Sequence, residues 1–129
     1  MDIDDIKKAD AETADGAWVG DLPGMGDVRL RVRPLTHPRV VRFSGRAFRI
    51  AGAGKPLSAD AEDTVERDVL ASVVLTGWEG LTAKKKPLKF NRETALELLK
   101  LDTFEAAVRT AMYRAGAAAD KTHEALEKN

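Results

Sequence analysis

Four arginines, Arg39, Arg42, Arg46 and Arg49, recur at spacings of three, four and three, so a helix would set their guanidiniums in one row. Guanidinium forks bind carboxylates or phosphates, and four like charges in a row repel. The row therefore calls for an anionic counterpart, in the chain or on a partner. Other residue types that could do chemistry are sparse. Gly54-Lys55 hints at a phosphate loop, but Arg49 stands where the motif's first glycine belongs and Pro56 where its hydroxyl belongs. Gly20, Gly24 and Gly26 lack dinucleotide-binding spacing. His37 and His123 have no triad neighbours and lie too far apart for a histidine zinc site, while Glu93 and Glu97 share a helical face as many solvated pairs do. With no cysteine, disulfides, thiolate metal sites and thiol nucleophiles are excluded together. The expectation is a chain that is not an enzyme and needs no cofactor or metal.

Lys+Arg and Asp+Glu both number 21, yet the charges are segregated. Residues 1–27 carry eight acids against Lys7 and Lys8. Residues 28–59 carry seven arginines and Lys55 with no acid, and residues 60–79 carry six acids against Arg67. Because acidic blocks flank the basic one, an intramolecular acid–base fit is favoured over a nucleic-acid-binding face. A phosphate-binding face would use Arg29, Arg31 and Arg33 together with the row of four.

The elements that must position these groups follow from periodicity. Val28, Leu30 and Val32 alternate with Arg29, Arg31 and Arg33, and Ala17-Trp18-Val19 lies across a turn-rich stretch, so the pair reads as a β-hairpin. Thr36 is the expected N-cap of a helix over 38–51, in which Val40, Phe43, Ala47 and Ile50 keep helical spacing. Ser58 caps a helix with Val65, Val69 and Val73 inward, closed by Gly77 as a left-handed C-cap. Lys84-Lys85-Lys86 sits in a polar loop, Asn91 opens a helix through Lys100, and Asp102 caps the last. The predicted fold class is α+β, mostly helical, with an N-terminal β-hairpin followed by about four helices. Three regions are expected: a flexible acidic N-terminus over 1–15, one domain over 16–116 and a polar tail over 117–129.

The 129 residues suit one core, and 33% charged residues argue for a well-solvated surface. The acidic start has no apolar run of a signal peptide, and the longest apolar region, 69–75, is far short of the ~20 residues that cross a bilayer. A cytoplasmic protein is expected.

Two blocks carry a family likeness. The first is Gly16-Ala17-Trp18-Val19, then Val28 to Leu35, then Thr36-His37-Pro38; the second is Val74-Leu75-Thr76-Gly77-Trp78-Glu79-Gly80-Leu81 with Pro87-Leu88-Lys89-Phe90-Asn91 behind it. Over residues 16–112 the chain resembles the tail assembly chaperones of long-tailed bacteriophages, most specifically in its Thr-Gly-Trp-Glu-Gly run. It departs from that pattern in the three lysines after Leu81 and in the heavy arginine row. The resemblance implies a non-enzymatic factor of the bacterial host cytoplasm that binds the tape measure protein, with the tail tube protein a further candidate partner. It leaves a homo-oligomer open and involves no membrane. Trp78, Glu79 and Leu81 match the family block and, with Arg39, Arg42, Arg46 and Arg49, are the expected partner-binding residues. A minor tail or connector protein of the particle is the first rival reading, and a nucleic-acid-binding regulator the second.

Overall fold

The structure, a computed structural model, describes the backbone of residues 1–127 and the side-chain surroundings of residues 1–118. It opens on a helix, α1 (Ile3–Thr13). The Asp2 carboxylate accepts the Asp4 N–H at 2.9 Å, and Asp4 and Asp5 occupy the first turn, where acids meet the positive end of the helix dipole. This corrects the expected N-terminal β-hairpin followed by about four helices. The first element is helical, the described residues hold five α-helices covering more than half the chain, and the strands are short and come later. No residue of α1 is buried, so the helix lacks the apolar period that betrays most helices.

Past Gly16, β1 (Ala17–Val19) pairs antiparallel with β2 (Arg29–Val32), and β3 (Leu75–Glu79) pairs with the other side of β2. The two early strands are thus the edge and centre of a three-stranded sheet completed from far along the chain. Leu30 and Val32 point into the core, while Arg29 and Arg31 take the opposite face. Gly16 has φ +86°, and a Cβ there would lie 1.9 Å from the Val32 carbonyl oxygen, so only glycine lets the chain turn from helix to strand.

α2 (Pro38–Gly52) is capped by His37, one residue after the expected Thr36. Ser58 caps α3 (Ala59–Val69), but the helix does not end at Gly77. It widens into a π-helical turn, Leu70–Val74, and passes directly into β3, with Gly77 inside the strand. The run Val73-Val74-Leu75-Thr76 is largely β-branched, and burial on several sides favours a strand against β2 over a further helical turn. A register slip at Arg31/Val32 leaves Thr76 as the extra residue of a bulge.

The lysine loop is a tight hairpin, β4 (Thr82–Ala83) with β5 (Lys86–Pro87), whose corner residues Lys84 and Lys85 both have positive φ. Asn91 caps α4 (Arg92–Leu98) by accepting the Thr94 N–H at 2.8 Å. α5 (Asp102–Glu127) includes Asp102 as its first residue and sets Phe104, Ala107, Val108, Ala111, Met112 and Ala115 into the core, packing on β1 and β2. Fully buried Leu30, Leu75, Leu99, Val74 and Val108 form the centre, each worth roughly 1.5–3 kcal/mol over an exposed position. Beyond residue 118 the side chains of the expected tail, His123 among them, lie outside the described residues.

Candidate partner-binding groove on α2

α2 buries only Val40 fully, and rests Phe43, Ala47 and Phe48 partly on the core. Its outer side carries Arg39, Arg42, Arg46 and Arg49, together with Val41 and Ile50, which are 56% and 71% exposed. Between α2, α3 and α4 runs an open groove of about 520 Å³. Phe43, Ala47, Ile50, Val65 and Leu96 give it apolar walls; Arg46, Asp68 and Arg92 give it charge. A smaller recess of about 280 Å³ continues under Arg39, Arg42 and Arg46 against Phe43 and Val73.

The acid in this groove is already engaged. Arg92 of α4 pairs with Asp68 of α3, Arg92 Nε donates to Ser72 Oγ at 2.7 Å, and Ser72 donates to Asp68 at 2.9 Å. Among the described residues, no side chain of Arg39, Arg42, Arg46 or Arg49 makes an ion pair or hydrogen bond. The apolar walls and unpaired cations together suit an amphipathic segment with an acidic edge. Among the described residues no group of three or more His, Asp and Glu could hold a metal ion, and no helix is long and apolar enough to cross a membrane.

The entry to α2 is held by one imidazole. His37 Nδ1 accepts the Arg39 N–H at 3.1 Å, so its Nε2 carries the proton and donates to the Thr13 carbonyl at 3.2 Å. Burial pushes the His37 pKa below its ordinary value; Arg33 and Arg39 add to this, and the Thr13 bond and Asp10 oppose it.

The arginines of β2 and Arg33 just after it all have partners. Arg29 pairs with Glu79 at 2.6 Å. Arg31 donates to the Thr76 hydroxyl and carbonyl, both at 3.0 Å, and both guanidiniums lie 5.4 Å from the Trp18 ring centre. Arg33 is buried; it donates to Ala14 O at 2.6 Å and Val73 O at 2.8 Å and lies 3.5 Å from Asp15. Burial lowers its pKa, with Arg39 adding to this and Asp15 opposing.

Of the residues expected to meet a partner, the four arginines share one face of α2, while none of Trp78, Glu79 and Leu81 lines the groove. Trp78 is 8% exposed, donates from Nε1 to Leu88 O at 2.7 Å and stacks edge-on against Phe90 and Phe104. Glu79 is exposed on Arg29, and half-buried Leu81 packs on the core. Sequence reasoning missed the opposite wall: Val65 was legible as a core position, but nothing local sets Leu96 and Arg92 of α4 across from α2. Residues 41–128, which contain every residue lining the groove, match the family model described as YdaY prophage protein. No curated protein and no solved structure matches the chain.

Proposed function

The chain belongs to the YdaY prophage protein family, and from that premise we propose that it is a tail assembly chaperone, a non-enzymatic factor that binds the tape measure protein during tail morphogenesis in the host cytoplasm. A long helical partner exposes apolar stripes that aggregate unless covered. One observation carries the reading: an open apolar groove beside four arginines that have no partner among the described residues. A helix laid along α2 would bury Ile50 with the groove walls and bring acids to the arginine row. Trp78, whose side chain is enclosed, serves this reading by holding the β3 end of the sheet in place rather than by touching the partner.

Co-expression with the tape measure protein tests it. Retention of that protein in the soluble fraction on a tagged wild-type chain, and its loss with Ile50→Asp, supports the proposal; a clean failure to co-purify at moderate salt overturns it. Mass analysis of purified particles separates a chaperone, absent or trace, from a minor tail or connector protein, present in stoichiometric amount. The unpaired arginines also favour a second reading, a nucleic-acid-binding regulator. A gel shift that weakens steeply with salt would support it, and no shift at micromolar protein would remove it.

A further inference from the structure

We infer that the α2 groove selects its partner along the helix axis: it takes a helical segment whose apolar residues and acids stand in separate turns, about two turns apart, rather than one with an acidic edge along its whole length. The inference rests on the groove being the partner site, and adds which kind of segment that site takes.

The lining changes character from one end of α2 to the other. Toward the end of α2, Ala47, Ile50, Val65 and Leu96 wall the larger part, and its acid, Asp68, is already held by Arg92 and Ser72. Toward the start of α2, the smaller recess is lined by Arg39, Arg42 and Arg46 over Phe43 and Val73, with no acid. Phe43 and Arg46 border both parts and make them one trough. The facing wall runs the opposite way, with Val65 of α3 at the apolar end and Val73 of the π-helical turn at the cationic end. Arg49, the fourth of the row, lines neither part.

Desolvation then decides what fits where. An acid set beside Ile50 and Leu96 would lose water against apolar walls and find Arg92 already engaged by Asp68. An apolar residue set in the recess would desolvate three guanidiniums and bring no anion to them. Arg39 and Ile50 are eleven residues apart, about 16 Å along the axis, which is three turns of a docked helix. Within that length a stripe of positions i, i+4, i+7 and i+11 meets both parts when two neighbouring positions are apolar and the other two are acidic.

Fluorescence anisotropy on the full-length chain tests this with lactam-stapled helical peptides of four turns, the staple on the outer face keeping every peptide equally helical. Graded peptides carry the apolar pair and the acid pair at opposite ends of the stripe, in either chain direction; a control of the same composition alternates them. The better graded peptide should bind at least about tenfold more tightly than the control. Arg39→Gln/Arg42→Gln should remove that advantage, and Ile50→Asp should weaken the graded peptide at least about tenfold, whereas Arg49→Gln should change its binding by less than about twofold. Circular dichroism checks that each variant keeps its fold. Equal binding of graded and alternating peptides, or an advantage that survives Arg39→Gln/Arg42→Gln, would overturn the inference and leave the groove a helix site. Wild type that self-associates at these concentrations, and ceases to with Ile50→Asp, would give the groove to a second copy and overturn it as well. No binding of any peptide at millimolar concentration would also overturn it, while the tape-measure reading stands or falls separately on co-purification.

Discussion

Arg29 and Arg31 on β2, with Arg33 just past its end, and Arg39, Arg42, Arg46 and Arg49 on α2 belong to one acid-free stretch of sequence, yet the fold treats them oppositely. The strand arginines are consumed internally, one by Glu79, one by Thr76 and Trp18, one by two backbone carbonyls and Asp15. The helix arginines stand in solvent with no side-chain partner among the described residues. Acids that a charge tally would assign to them are engaged elsewhere, Asp68 by Arg92 and Glu66 by Arg109. Neutral net charge therefore conceals a structural set of cations and an outward-facing set. The second set is the one that can be given to a partner without weakening the fold.

The sharpest way to break that contrast is at Arg33. Removing it leaves Ala14 O and Val73 O without their donors in a site only 8% exposed and cuts the tie from α1 to the turn before β3. Arg33→Ala should cost about 2–3 kcal/mol in urea unfolding, the scale of one buried and one half-buried acceptor left without a donor. A loss under about 1 kcal/mol would mean that Arg33 is not a structural arginine of this kind.

Next comes Arg31, whose guanidinium lies between Trp18 and the bulge at Thr76 over the bare backbone of Gly77. Arg31→Ala should cost about 1–2 kcal/mol by the same measurement, from two hydrogen bonds and a cation–π contact. Arg29→Ala should cost no more than about 0.5 kcal/mol, because its pair with Glu79 is half in water on both sides. This gradient along β2 and the residue after it, from Arg33 to Arg29, would sharpen the distinction between buried and exposed cations.

Which arginine belongs to which set was only partly legible from the residues. Alternation along 28–33 does place the strand arginines on one face of a sheet, and helical spacing does align the other four. What no local pattern carries is the third strand: the run through Val74 reads as more helix until β2 lies beside it, and only then do Thr76 and Val73 become partners for Arg31 and Arg33. α1 was hidden for the opposite reason, having a cap and a dipole but no buried side. The groove required α4 to pack near α3, a contact among residues more than twenty apart that periodicity within either helix does not encode.

His37 stands at the junction between the two sets and gives a smaller effect with a pH signature. It caps α2 and ties α1, and it does so as a neutral ring, because Nδ1 must accept the Arg39 N–H. His37→Ala should cost about 1 kcal/mol, the usual worth of an N-cap. Its folded-state pKa is depressed by burial and by Arg33 and Arg39, against Asp10 and the Thr13 bond. An unfolded imidazole titrates near about 6.5, so its contribution is fully present above that pH and is lost as pH falls through the lower folded value. Wild-type stability should therefore drop with acid in that window more than that of His37→Ala. Parallel pH curves for the two proteins would show that the ring is not held neutral.

The smallest effect is the most discriminating, because its expected sign is reversed. Arg42 and Arg46 each have arginine neighbours three or four residues away on both sides, so Arg42→Gln/Arg46→Gln removes every like-charge contact in the row while keeping good helix formers. If no internal acid faces the row, stability should rise by about 0.5 kcal/mol at low salt. The gain should shrink toward zero near 1 M salt, where the Debye length is about 3 Å. The same variant should bind an acidic helical partner more weakly, so stability and binding move in opposite directions. A structural arginine cannot produce that pair of results: at Arg33 both would fall together. Should the double variant lose more than about 1 kcal/mol instead, the row would have an internal partner and the division between the two arginine sets would collapse.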